Sequence, residues 1–266
     1  MPPTAVRHRS VLGSLLLASC CLTVAAQGHE FDFYSTYRSW SRSLPREVRS
    51  SPEVVLEQYR QKLGSEGVAP TEVERRIALI RTRRDDLEAD FWNRFFTSPP
   101  SSYNREPNAF LVSVVEGRKP GRALDVGMGE GRNALYLAKL GWEVTGFDPA
   151  DKAVALARER AQGLGLKLNA IVAHDRDFDF GHERWDLILF SWTLPTQTAA
   201  RVVDALKPGG IVVVEGGRSA YPMNGLLEMF RRLRVLHFSD SSGQADFARG
   251  KEMDIVRFCA EKIAAQ

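Results

Sequence analysis

The sequence predicts an α/β fold: a doubly wound, mostly parallel sheet of seven strands with an antiparallel C-terminal hairpin and a helical extension at the N-terminal side. Three observations predict it. From Arg122 onward, five short apolar runs rich in β-branched residues alternate with stretches of helical periodicity, as in a parallel sheet covered on both faces. Two more apolar runs near the C-terminus lie too close together for a crossover and are expected to pair antiparallel. Two stretches between Ser51 and Phe95 have helical periodicity. With 266 residues, 44% hydrophobic and 26% charged, the chain has material for one mixed domain with an appendage. The resulting boundaries are a leader at 1–27, a helical extension at 28–104 and the α/β domain at 105–266.

The leader comes first. The basic "VRHR" at 6–9 is followed by the apolar "SVLGSLLLASCCLTVAA" and the small residues Val24-Ala25-Ala26. This is the layout of a secretory signal cleaved before Gln27. Leu17-Ala18-Ser19-Cys20 also resembles a lipobox, which would make a lipidated Cys20 the mature N-terminus. An uncleaved anchor or a misassigned start codon are further readings, the last leaving the protein cytoplasmic. The run is short for a membrane span of about 20 residues, so no stable insertion is expected after cleavage. Past the leader only Cys259 remains, and no intramolecular disulfide can form.

In the extension, Ser51 and Pro52 read as cap and first residue of a helix ending at Gly64. Thr71 and Glu74 have capping-box spacing ahead of a longer helix with Val73, Ile77, Ile80, Leu87, Phe91 and Phe95 on one face. Its arginines alternate with Glu72, Glu74, Asp85 and Asp86, as on a solvated face. The prolines of "TSPPSSYNREP" then break the helix, and Tyr103 either lines a pocket or caps this loop. Segment 85–108 carries Phe91, Trp92, Phe95, Phe96 and Tyr103 into the core beside the first strand, and is expected to cover a cleft there. Ordinary helix-on-sheet packing is the competing reading.

In the α/β region, "RALDVG", "EVTGFD", "LNAIVAHD", "WDLILFSW" and "GIVVVEG" read as strands, with helices at "RNALYLAKLG", "PADKAVALARERAQG", "TQTAARVVDALKPG" and "MNGLLEMFRRL". "RVLHFSD" and "DIVRFCAEK" form the hairpin. After the first strand, Gly127 and Gly129 permit positive φ and a close ligand approach, and Gly131 lets the following helix pack close to the strand. A dinucleotide site needs G-x-G-x-x-G, whereas here the third glycine comes one residue early and Arg132 stands in its place. Asp125, two residues before the first glycine, suits a cationic amino group better than a pyrophosphate.

The run "LDVGMGEGRN", "VTGFD", "HDRD", "WDLILFSW", "KPGG" resembles the successive motifs of class I S-adenosylmethionine-dependent methyltransferases over residues 105–262. The Gly-Arg-Asn ending is similar to tellurite-resistance-type and thiopurine-type enzymes, which act on small, soft nucleophiles. Met128 stands where the family often has cysteine or another small residue. The resemblance implies S-adenosylmethionine as cofactor. Asp125 and the backbone of Gly127, Met128, Gly129 and Gly131 would face its methionine portion, Asp148 its ribose hydroxyls, and Asp175 or the backbone of Arg176 its adenine. Asp148 and Asp175 also fit as helix caps, and His174 as a packing residue. Asn133 either contacts the cofactor or ties the loop down. Ser191, with Trp192 and Thr193, follows the fourth strand, where this fold places substrate-facing residues, as do Glu215 and Arg218 after the fifth.

Methyl transfer is an in-line displacement in which alignment can supply much of the acceleration, so no catalytic residue is assigned and no metal is expected. Base-methylating members carry Asn or Asp, then Pro-Pro and an aromatic, where this chain has "SWTL". That lack, a net charge of only +3 and the absence of a long basic run favour a small-molecule acceptor over nucleic acid. Competing readings are a nicotinamide-dependent oxidoreductase and a non-catalytic envelope protein on the same scaffold.

Overall fold

The computed structural model describes residues 32–98, 103–247 and 251–264; the leader and Cys20 lie outside the described residues. The chain divides into two compact units, Met1–Phe91 and Trp92–Gln266, so the division falls inside one helix.

The first unit is helical. A helix α1 at 32–43 is followed by α2 (Arg46–Arg49), α3 (Pro52–Ser65) and the first part of α4 (Pro70–Thr97). Their apolar stripes meet in a core that includes Tyr34, Tyr37, Tyr59, Ile77 and Ile80, with Tyr37 edge-on to Tyr59 at 4.9 Å. A buried polar node lies beside it: Tyr34 Oη donates to Glu88 at 2.8 Å, and Arg38 Nε donates to both carboxylate oxygens. Helix α3 starts at Pro52 as expected, although the Ser51 side chain makes no cap bond. The Thr71–Glu74 box does not cap α4, because the helix already begins at Pro70, whose fixed φ suits a first helical position. At Arg83 (φ −128°, ψ 25°) α4 is interrupted. The arginines pair with neighbouring acids, Arg75 and Arg76 with Glu72 and Arg81 with Glu53, as on a solvated face.

The second unit holds a seven-stranded sheet ordered β3-β2-β1-β4-β5-β7-β6. Its strands are β1 (Arg122–Val126), β2 (Glu143–Asp148), β3 (Asn169–Val172), β4 (Trp185–Ser191), β5 (Leu206–Gly217), β6 (Arg234–Ala245) and β7 (Lys251–Glu261). The first five are parallel, and β7 runs antiparallel to both β5 and β6. Helices α5 (Ala109–Val115), α6 (Arg132–Lys139), α7 (Asp151–Gly163), α8 (Ala199–Ala205) and α9 (Gly225–Met229) accompany it. One buried cluster gathers Leu124, Phe147, Ile188 and Phe230, and another Ala123, Leu137, Leu187 and Val213. Adjacent residues of β1 thus belong to different clusters, as in a strand buried on both faces.

The helix expected over 223–233 is much shorter: Asn224 in the left-handed region (φ 61°) sets its start at Gly225, and the chain leaves the helix at Phe230 (φ −112°, ψ 24°). The hairpin is longer than the sequence shows, reaching Ala245 and Lys251. Strand order reverses between β1 and β4. In doubly wound sheets that reversal opens a crevice at the carboxyl ends of the two strands, here beyond Val126 and Ser191.

Candidate functional site

The loop leaving β1 is held from below and shaped by positive φ. Gly127 and Met128 donate their N–H groups to the Phe147 carbonyl at 2.9 and 3.0 Å. Gly127, Gly129 and Gly131 have φ of 67°, 56° and 81°, values that carry strain for any side chain. A Cβ on Gly129 would lie 2.5 Å from the tip of Phe96, and one on Gly127 would run into Thr193 Oγ1. Gly131 caps α6, and its close neighbour is Ala157 of α7, 3.1 Å from a Cβ built there. The expected helix-on-strand approach is therefore a helix-on-helix one. The Met128 side chain lies beneath the loop against Gly146 of β2, where any Cβ would strike its sulfur.

Two buried carboxylates flank this loop. Asp148, ending β2, accepts from Gly129 N at 2.9 Å with Oδ2 and from Ala150 N at 2.8 Å with Oδ1. It ties the glycine loop to the start of α7 and keeps unused lone pairs on both oxygens. Burial raises its pKa against those two N–H groups and the nearby His174. Asp125 is 1% exposed and its Oδ2 has no hydrogen-bond partner. Burial pushes its carboxyl up to about 7, opposed by Arg132 and the backbone of Ala134, while Asp148 adds to the rise. An orphaned acceptor oxygen at this depth is uncommon, and it fits an ammonium group delivered by a ligand on the loop.

A small cleft, open to solvent on one side, lies over the loop. Its floor is Gly127, Met128 and Gly129. Polar Glu130, Arg132, Asn133 and Ser191 and aromatic Phe96, Tyr103 and Phe247 complete its lining. Tyr103 is thus a lining residue, 2% exposed. Asn133 Oδ1 accepts from Asn108 N at 2.8 Å, so it ties the loop down and lines the cleft at once. Phe247 has no signal in the sequence, and Arg132 is noted there only for standing where a dinucleotide loop has its third glycine. Arg132 donates to the Glu106 carbonyl at 3.0 Å, to Asp246 Oδ1 at 3.2 Å and to Ser191 Oγ at 3.4 Å, with its guanidinium over the Phe247 ring. The departure from dinucleotide glycine spacing was the available signal: a large cation stands where a glycine would.

The remaining residues fall in different places. Thr193 rests on Gly127, and Trp192 stacks on Phe247. At the end of β3, the backbone carbonyls of Asp175 and Arg176 accept from Arg201, and the Arg176 side chain pairs with Asp177. Neither lines the cleft. Arg218 is not brought to it either, because its guanidinium pairs with Asp240 and Asp254 on the hairpin. Glu215 turns inward, accepting from Asn108 Nδ2 and Arg257 Nε, both at 2.6 Å. With the loop geometry and this pairing in place, Glu215 holds walls together instead of facing an acceptor. Among the described residues, no group of three or more His, Cys, Asp or Glu is arranged to hold a metal ion.

Residues 123–210 match the family described as methyltransferase domain. The probable S-adenosyl-L-methionine-dependent methyltransferase TehB of Haemophilus influenzae is 27% identical over 133 residues, 48% of this chain and 46% of its own length. A ribosomal RNA small subunit methyltransferase C of Alcanivorax borkumensis is 27% identical over 49% of this chain and 43% of its own. A ubiquinone biosynthesis O-methyltransferase of Paramagnetospirillum magneticum is 36% identical over 33% and 37%. The chain spans less than half the length of these relatives. The crystal structure of TehB from Haemophilus influenzae shares the fold at 19% identity, with a TM-score of 0.51 over 66% of this chain and 67% of that one.

Proposed function

We propose, from the match of residues 123–210 to a methyltransferase domain and the likeness to an S-adenosylmethionine-dependent relative, that this chain is a class I methyltransferase that transfers a methyl group from S-adenosylmethionine to a small-molecule acceptor. The observation that carries the proposal is the buried Asp125 with its unpartnered oxygen, set immediately before a loop of three positive-φ glycines. In its ionised form Asp125 receives the donor's ammonium group, and the glycine backbone carries the methionine portion. Asp148 keeps an acceptor site on each oxygen for the two ribose hydroxyls while its backbone bonds hold the loop in shape. Bound there, S-adenosylmethionine supplies a methyl group on an electrophilic sulfonium.

The chain's contribution to the chemistry is exclusion of water and alignment. Phe96, Tyr103 and Phe247 line the cleft, and aromatic faces favour an adjacent cation. Alignment of nucleophile and methyl group lowers the barrier without a general base. Support for a small acceptor comes from the "SWTL" run in place of the proline-rich motif of base-methylating enzymes and from the low net charge of +3. The name of the ubiquinone-biosynthesis relative points the same way, whereas that of the ribosomal RNA relative favours nucleic acid.

The test is formation of S-adenosylhomocysteine from S-adenosylmethionine with separate panels of thiols, phenols and amines, and with ribosomal RNA. Turnover confined to a small-molecule panel is expected. Turnover with RNA alone would move the chain to the other branch of its relatives.

A further inference from the structure

Trp192, directly after β4, has a φ of 64°, a region that a bulky side chain enters only under constraint and that clusters at ligand sites. The constraint is visible. Its N–H donates to the Glu215 carbonyl at 2.8 Å, and its indole stacks on Phe247 at 5.9 Å with 27° between the planes. In this pose the indole Nε1–H is buried without a hydrogen-bond partner. A donor held away from both water and acceptors is destabilising and rare in folded proteins.

The ring it stacks on belongs to a larger set. Phe247 lies near-parallel to Phe95 at 5.8 Å and 28°, and to Tyr103 at 6.1 Å and 27°. Phe96 meets Tyr103 edge-on at 5.2 Å. Three of these residues, Phe96, Tyr103 and Phe247, also line the cleft over the glycine loop, as does Ser191, which precedes Trp192. The stack therefore adjoins the donor cleft, and its faces share an orientation that suits another flat ring. Helix-on-sheet packing accounts for the rings, but not for a strained tryptophan presenting an unused donor beside them.

We propose that this stack is the acceptor subsite, and that it takes a planar aromatic molecule bearing a hydrogen-bond-accepting oxygen, received by Trp192 Nε1–H. The acceptor's oxygen satisfies the donor that is otherwise left without a partner. Trp192 is thereby a specificity-determining residue. The proposal rests on the methyltransferase reading for the fate of the acceptor, though its binding can be read separately.

The experiment uses the full chain with ¹⁵N-labelled indoles and three probes: 2-naphthol, the oxygen-free 2-methylnaphthalene and the non-planar 1-adamantanol. Trp192→Phe assigns the Trp192 indole resonance and keeps a ring without the N–H. Expected are a shift of that resonance on adding 2-naphthol, roughly tenfold tighter binding of 2-naphthol than of either control, and roughly tenfold loss of that binding in Trp192→Phe, the scale of one buried hydrogen bond. Absence of 2-naphthol binding, an unmoved resonance, or equal affinity in the variant overturns the proposal. Should Trp192→Phe fail to fold, Phe247→Leu removes the stacking face and keeps the donor. It must then weaken 2-naphthol binding, and unchanged affinity overturns the proposal. S-adenosylhomocysteine is titrated in parallel: a chain that takes 2-naphthol but not S-adenosylhomocysteine contradicts the donor site and leaves the subsite standing, and the converse does the reverse.

Discussion

Asp125 is a buried carboxyl beside the glycine loop, and its burial gives a pH signature whose sign can be worked out. In the unfolded chain it ionises near the ordinary value of about 3.9, and in the folded chain near about 7. Between those values the folded state holds the extra proton, so stability falls as pH rises from about 4 to about 7 and then levels. Asp148 and Glu215, also raised mainly by burial, act in the same direction. Asp125→Asn is therefore expected to raise the melting temperature relative to the parent more at about pH 8 than at about pH 5, and an equal change at both would contradict the assignment. A donor ammonium favours the ionised form. Below about pH 7, binding of S-adenosylhomocysteine releases a proton and weakens by up to about tenfold per pH unit. Calorimetry in two buffers of different ionisation heat reads the proton, and Asp125→Asn removes its release. The place of Asp125 before the glycine loop was legible because it is a local pattern. Arg132 was not, because its role depends on Glu106, Ser191 and Asp246, residues that only the fold brings together.

At the scale of elements, the glycine loop and β2 are fitted to one another through a pair that no local motif reveals. Gly146 leaves room for the Met128 side chain, which occupies the space a Cβ would take. Gly146→Ala should cost about 1–3 kcal/mol through overpacking. Met128→Ala in the same chain should recover most of that loss, as a double-mutant cycle in chemical denaturation would show. Simple additivity of the two changes would mean they do not share this space. The five parallel strands were readable from their β-branched runs, which burial on both faces demands. Helix α5 was missed because seven residues cover barely two turns and leave no period to detect. The outer part of the hairpin was missed because β6 is a mostly exposed edge strand, and its polar run from Ser239 to Gln244 lacks the alternation that betrays a half-buried strand.

At the scale of the whole molecule, the chain holds two compact units divided between Phe91 and Trp92, each with its own buried apolar core. The sequence placed the start of the α/β domain at 105, guided by the proline break. In the structure the last six residues of α4, 92–97, fall in the second unit, where Asn93 Nδ2 donates to Asp151 and Asn93 Oδ1 accepts from Lys152 N. That junction is a tertiary contact between residues 58 apart, invisible to periodicity. Separate cores predict two transitions in scanning calorimetry, with S-adenosylhomocysteine raising the one that belongs to the unit holding the glycine loop. One transition for the whole chain would contradict this. The central claim is that the cleft over Gly127–Gly131 is a donor site for S-adenosylmethionine, and the most direct measurement is titration calorimetry of the full chain and its Asp148→Ala variant with S-adenosylhomocysteine and with NADH. The account predicts one S-adenosylhomocysteine bound per chain, a loss of roughly 2–4 kcal/mol in the variant as charge-assisted bonds vanish, and no heat from NADH. Binding of NADH by the parent, or equal S-adenosylhomocysteine affinity in a folded Asp148→Ala chain, would contradict it.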